Sequence, residues 1–166
     1  MKPRTLALAA LAVMGMFQGA PAFVAHYTVG GSPNGTAHIY ADFEIVLPDQ
    51  TTLYCDPFYF TVTVVNGVAE ITSAVSGDFP ICREAETDES LPWTFQPPTS
   101  DAGPANVKIS GVSLRFPLTG AICAGDITAT LDNGGKLSFD SPLGACRIRT
   151  VAPHWDSSPM LDAVYP

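Results

Sequence analysis

Apolar and polar residues alternate with a period of two over much of the chain, the pattern of strands that cover a core on one side. The clearest run is Phe58 to Val75. Taking Asn66-Gly67 as a two-residue turn sets Val64 against Ala69, Val62 against Ile71, Phe60 against Ser73 and Phe58 against Val75 on one face. Tyr59, Thr61, Thr63, Glu70, Thr72 and Ala74 then share the opposite face. A second hairpin reverses at Asn133-Gly134-Gly135. Its three-residue turn brings Leu131 against Leu137, Ala129 against Phe139 and Asp132 against Lys136, whereas a two-residue turn would oppose Leu131 to Lys136. His38 to Leu47 reads as a strand with Ile39, Phe43, Ile45 and Leu47 on one side. Asn106 to Phe116 reads as another, with Val107, Ile109, Leu114 and Phe116 inward and Gly111 marking a bulge or bend. No stretch reads as an amphipathic helix. The expectation is an all-β single domain, an antiparallel sandwich or barrel of seven to nine strands.

The four cysteines bracket the two hairpins, Cys55 and Cys82 around the first, Cys123 and Cys146 around the second. Extending the first register outward brings Cys55 opposite Asp78, four residues short of Cys82; extending the second brings Cys123 opposite Ala145, next to Cys146. Both registers favour sequential bridges, Cys55–Cys82 and Cys123–Cys146, each worth roughly 3–4 kcal/mol in the chain-entropy account. Metal ligation is the competing use of four cysteines, and no Cys-x-x-Cys spacing supports it.

The N-terminus sets the compartment. Lys2 and Arg4 precede an apolar stretch from Leu6 to Phe17, too short to span a membrane comfortably, and Ala20-Pro21-Ala22 offers a small-x-small cleavage site. Residues 1–22 are therefore expected to be a signal peptide, 23–152 a single β-rich domain, and 153–166 an extended, mobile C-terminal tail. The expected destination is secreted, extracellular or cell-surface, with the periplasm left open. No other segment is long and apolar enough for a transmembrane helix. Removing Lys2 and Arg4 moves the formal charge from −8 to −10. So acidic a surface repels phosphate backbones and anionic lipid headgroups, which argues against nucleic acid as a partner.

Candidate chemistry is sparse. The histidines are His26, His38 and His154, and no Gly-x-Ser-x-Gly elbow presents a nucleophile, so no catalytic residues are expected. The run Glu84-Ala85-Glu86-Thr87-Asp88-Glu89 lacks the Gly and the Asp/Asn alternation of an EF-hand and reads as a solvated loop; neither a metal nor another cofactor is expected. Leu91-Pro92-Trp93-Thr94-Phe95 is the candidate apolar contact: Pro92 keeps the backbone extended, and Trp93 and Phe95 point the same way beside Leu91. Core packing is the competing reading of these aromatics.

The order Leu53-x-Cys55, Ala69-Glu70-Ile71-Thr72-Ser73-Ala74, Gly77, Cys82, Leu91-Pro92-Trp93, Ile109-Ser110-Gly111-Val112, Gly120-x-x-Cys123, Asn133-Gly134-Gly135 with Leu137-x-Phe139, and Gly144-x-Cys146 resembles the PraB-type activators of alkane oxidation. The likeness runs from about Phe43 to Ile148; the acidic run beside Cys82 departs from the low charge of that family. The resemblance implies a secreted, non-enzymatic protein that promotes hydrocarbon use or emulsification at the cell surface, with hydrocarbon or another apolar surface as its partner. The alternative is a structural biofilm-matrix or adhesion protein that self-associates through strand edges.

Overall fold

The computed structural model describes residues 24–77, 82, 85, 87, 90–99, 104–151 and 155–165. The signal-peptide segment, His154 and the carboxylates Glu84, Glu86, Asp88 and Glu89 lie outside the described residues. Eleven strands and no helix make up the described chain: β1 (His26–Val29), β2 (Gly35–Val46), β3 (Thr52–Val65), β4 (Val68–Ser76), β5 (Trp93–Phe95), β6 (Ala105–Phe116), β7 (Ala121–Leu131), β8 (Lys136–Leu143), β9 (Cys146–Thr150), β10 (Trp155–Ser158) and β11 (Leu161–Val164).

Strands β2 to β9 pair in chain order, each antiparallel to the next, and β9 returns to pair with β2, so the sheet closes into an eight-stranded up-and-down barrel. Of the two architectures expected from the sequence, the barrel is the one formed. The eighth position is shared. Along β2 the partner moves from Thr150 at Phe43 to Asp156 at Tyr40, so six residues of the closing strand span three of β2. The same count holds against β8, from Arg149 at Asp140 to Trp155 at Leu137. β9 and β10 thus act as one strand with a three-residue insertion, and together they close the seam.

Segment 153–166 was expected to trail as a mobile tail, but it supplies β10 to the seam and β11 to a two-stranded ribbon with β1. Tyr27, Val29 and Leu161 of the ribbon are buried against the barrel. The single domain therefore runs past residue 152. The signal missed was Leu161, an apolar residue in a proline-punctuated stretch too short to show alternation.

The hairpin registers hold near their turns. Val64 faces Ala69 and Val62 faces Ile71, while Leu131 faces Leu137 and Ala129 faces Phe139. Asn66 and Gly67 both have positive φ, as a type I′ turn requires. Gly67 also has no room for a side chain, since a Cβ would lie 2.8 Å from that of His26. Farther out, the first register shifts: Thr61 faces Ser73 and Phe60 faces Ala74, because Thr72 is an extra residue in β4. The shift corrects the expected faces. Ala74 turns inward, Val75 turns out to 56% exposure, and the predicted Phe60–Ser73 and Phe58–Val75 pairs do not form. Gly111 marks the expected irregularity in β6, with φ of +80° where the pairing slips between Ile109 and Val112.

The wall has the polarity of a water-facing barrel. Inward positions are apolar apart from Ser141, and outward ones are mostly Thr, Ser, Asn, Lys and acids. An outer-membrane barrel is built the other way round, with an apolar band toward lipid. The interior is filled by side chains, as eight strands allow. Phe43 lies 5.2 Å from Phe58 and 6.4 Å from both Phe60 and Phe139, measured between ring centroids, and Phe60 continues the cluster to Trp93. Both predicted disulfides are formed, Cys55–Cys82 and Cys123–Cys146, at the end of the barrel opposite the ribbon. Two disulfides point to an oxidising, non-cytoplasmic compartment.

Candidate functional site

Three prolines shape the most distinctive feature of the surface. β5 is only three residues long because Pro92 precedes it and Pro97-Pro98 follow it, and a proline supplies no N–H to a sheet ladder. β5 meets β4 only at Glu70 and Ile71. Beyond Phe95 the chain stays with β6, where the Gln96 N–H donates to the Lys108 carbonyl at 2.7 Å, and leaves the start of β4 without its neighbour.

Tyr27 of the ribbon bridges this opening. Its backbone N–H donates to the Gly67 carbonyl at 2.9 Å, and its hydroxyl donates to the Gln96 carbonyl at 2.7 Å. The ring packs edge-on against Phe95, with centroids 5.5 Å apart, and burial followed by the proximity of Tyr165 pushes the phenol well above its ordinary value. What the bridge does not fill is an open groove of about 580 Å³, lined by Val24, Tyr27, Pro33, Val68, Phe95 and Pro97 among others. Val24 and Val68 on its rim are exposed, as is Val65, the partner of Val68 across the turn. His26 is the one ionisable side chain in the lining apart from Tyr27, and its Nδ1 contacts the Val24 carbonyl at 3.1 Å. Across the Gln96-Pro97 ridge a second depression of about 620 Å³ has Thr99, Asn106, Lys108, Ser110 and Thr128 in its lining.

The barrel interior offers no comparable space. Its central void is about 10 Å³ and is lined by apolar side chains, Phe43, Phe60 and Trp93 among them. A void of that size and character is at the limit for a single water and stays dry.

The candidate contact residues separate. Trp93 and Phe95 do point the same way, but inward, each only 2% exposed, and Leu91 is half-buried against the core. The Trp93 indole N–H donates to Ser90 Oγ at 2.8 Å. These aromatics are core residues; what they contribute to the groove is the edge of Phe95. Exposed apolar residues instead include Val24, Val65 and Val68 at the ribbon end and Leu118 and Ile122 at the other. The usable signal in the sequence was that Pro92, Pro97 and Pro98 confine one strand to three residues.

In the acidic run, Thr87 is buried and its hydroxyl donates to the Ala74 carbonyl at 2.8 Å, tying the loop to β4. Among the described residues no three or more His, Cys, Asp or Glu side chains gather where a metal ion could be held. His38 contacts Thr61 Oγ1 at 3.5 Å on the outer wall. No described helix is long and apolar enough to cross a membrane.

Closed topology, a packed apolar interior and two disulfides define the class: a small stapled β-barrel whose shaped surface lies outside the barrel, where its shortest strand leaves a gap. The family described as alkane oxidation protein activator PraA/PraB-like matches residues 1–164, and the chain belongs to that family. Membership indicates a role as an activator of alkane oxidation. No curated protein matches the chain, and no solved structure does.

Proposed function

We propose that this protein is a secreted, non-enzymatic factor that promotes alkane use by holding apolar chains in the groove between β1, the start of β4 and Phe95. The observation that carries the reading is the groove itself, an apolar concavity with exposed valines on its rim and no carboxylate, lysine or arginine in its lining. Burying about eight methylenes there contributes roughly 6 kcal/mol before ordering costs, enough for reversible capture of a chain from an oil surface. Release then depends only on that modest affinity, which suits delivery or emulsification.

The test is a titration of the mature protein with a medium-chain alkane below its solubility limit, followed by amide NMR shifts. Saturable shifts at Tyr27, Val68 and Gln96 that vanish in Val68→Asp support the groove. Shifts absent from these positions would overturn it. Self-association through strand edges, the alternative, has the outer edge of β11 as its candidate surface: β11 pairs only with β1, and Asp162 Oδ1 already accepts the Ala163 N–H at 2.8 Å. A protein that remains monomeric at high concentration in non-reducing size-exclusion runs argues against that alternative.

A further inference from the structure

The extra residue Thr72 has a consequence on the outer wall. By turning Val75 outward it completes a row across three strands, Tyr40 on β2 opposite Tyr59 on β3 opposite Val75 on β4. Tyr40 and Tyr59 are about half exposed and meet edge to face, with ring centroids 5.4 Å apart, which leaves ring surface open to solvent. Beside them the β2–β3 register slips between Ala41 and Phe43, and Asp42 sits in that irregularity near Asp56. The Asp42 main-chain carbonyl accepts the Val151 N–H at 3.0 Å, at the seam where the closing strand is interrupted.

Burial first, then the neighbouring Asp56 carboxyl, raise Asp42 above the usual carboxylate range. Asp42 Oδ1 is buried and has no hydrogen-bond partner. Burial, then Asp42, Tyr59 and Asp56, raise the Tyr40 phenol in turn. The surrounding charges do not neutralise the pair. Arg149, one rung along on β9, is committed to buried Glu44 and lies near Tyr54 and Asp140, and His38 lies on the far side of Tyr40 against Thr61. Neither Asp42 nor Asp56 has a Lys or Arg partner among the described ion pairs.

We propose that Tyr40, Tyr59, Asp42 and Asp56 form a binding site for an organic ammonium group. Aromatic faces attract cations through their quadrupole, by about 0.5–2 kcal/mol per ring, and adjacent carboxylates supply the net charge. A hard divalent metal fits poorly, because calcium takes six to eight oxygens and no group of three or more His, Cys, Asp or Glu side chains gathers here among the described residues. The cation is held by the ionised carboxylates, so binding tightens as pH rises. The site shares no lining residue with the groove and stands or falls separately from it.

The experiment titrates choline chloride into the mature protein, follows the Tyr40, Asp42, Tyr59 and Val151 amides by NMR, and uses sodium chloride as the ionic-strength control. The expected result is saturable shifts confined to that patch, weakened roughly tenfold in Tyr59→Leu and in Asp56→Asn, and stronger at about pH 7.5 than at about pH 4.5. Co-sedimentation with phosphatidylcholine vesicles identifies a lipid-borne headgroup as the source; choline binding without it identifies a free ammonium compound. Identical shifts with sodium chloride, or undiminished affinity in Asp56→Asn, overturn the site. Should Tyr59→Leu disturb the fold, the exposed Asp56→Asn substitution decides alone.

Discussion

Single positions show how firmly burial assigns a role. Phe95 borders the groove but is 2% exposed, so Phe95→Ala should cost about 3–5 kcal/mol in urea unfolding, as for a core aromatic; a loss below about 1 kcal/mol would return it to the surface. Gly111 separates backbone strain from packing. A Cβ there would meet nothing within 4 Å, yet φ is +80°, so Gly111→Ala should cost about 1–2 kcal/mol from conformation alone. Asp42 makes a pH prediction. Its folded value is raised, so the native state keeps a proton that the unfolded chain gives up at lower pH. The stability this confers is fully present below the ordinary aspartate value and is lost as pH rises through the raised one. Wild type should therefore lose stability relative to Asp42→Asn across that window, measured by denaturation at a series of pH values. A constant difference would mean that Asp42 titrates normally.

The strands were legible wherever alternation ran unbroken next to a turn with its own chemistry. Asn66-Gly67 and Asn133-Gly134-Gly135 set both registers correctly at the hairpin tips, and both disulfides followed from them. The bulge at Thr72 was not legible, because Ser73, Ala74 and Val75 are small or moderately apolar and tolerate either face; only the closed barrel decides which residue goes in. Deleting Thr72 should remove the bulge while keeping Phe60 opposite Ala74 and Tyr59 opposite Val75, so the urea midpoint should change little; a large fall would mean that the barrel needs the bend itself. β10 and β11 were missed for a different reason. Each is four residues long, too short for periodicity, and each exists only because the seam and the barrel mouth need covering.

At the scale of the molecule, closure explains why the site was hidden in the sequence. A closed eight-stranded barrel with a packed interior has no internal ligand chamber, so binding surfaces arise where the wall departs from regularity: at β5, cut short by prolines, and at the slips beside Asp42 and Thr72. The residue pattern could forecast a disulfide-stapled β-domain but not which of its aromatics would face outward. The disulfides secure this frame from the end opposite the groove. Replacing either pair by alanine should lower stability by roughly 2–5 kcal/mol while leaving groove geometry in place, checked by unfolding midpoints alongside the Tyr27 and Gln96 amide positions.

The most direct test of the account is the tension of a dodecane–water interface in the presence of wild type and of Val68→Asp at equal concentration. The account predicts that wild type lowers the tension and that a carboxylate on the groove rim removes most of the effect while the unfolding midpoint stays near that of wild type. Equal lowering by both proteins would contradict a role for the groove.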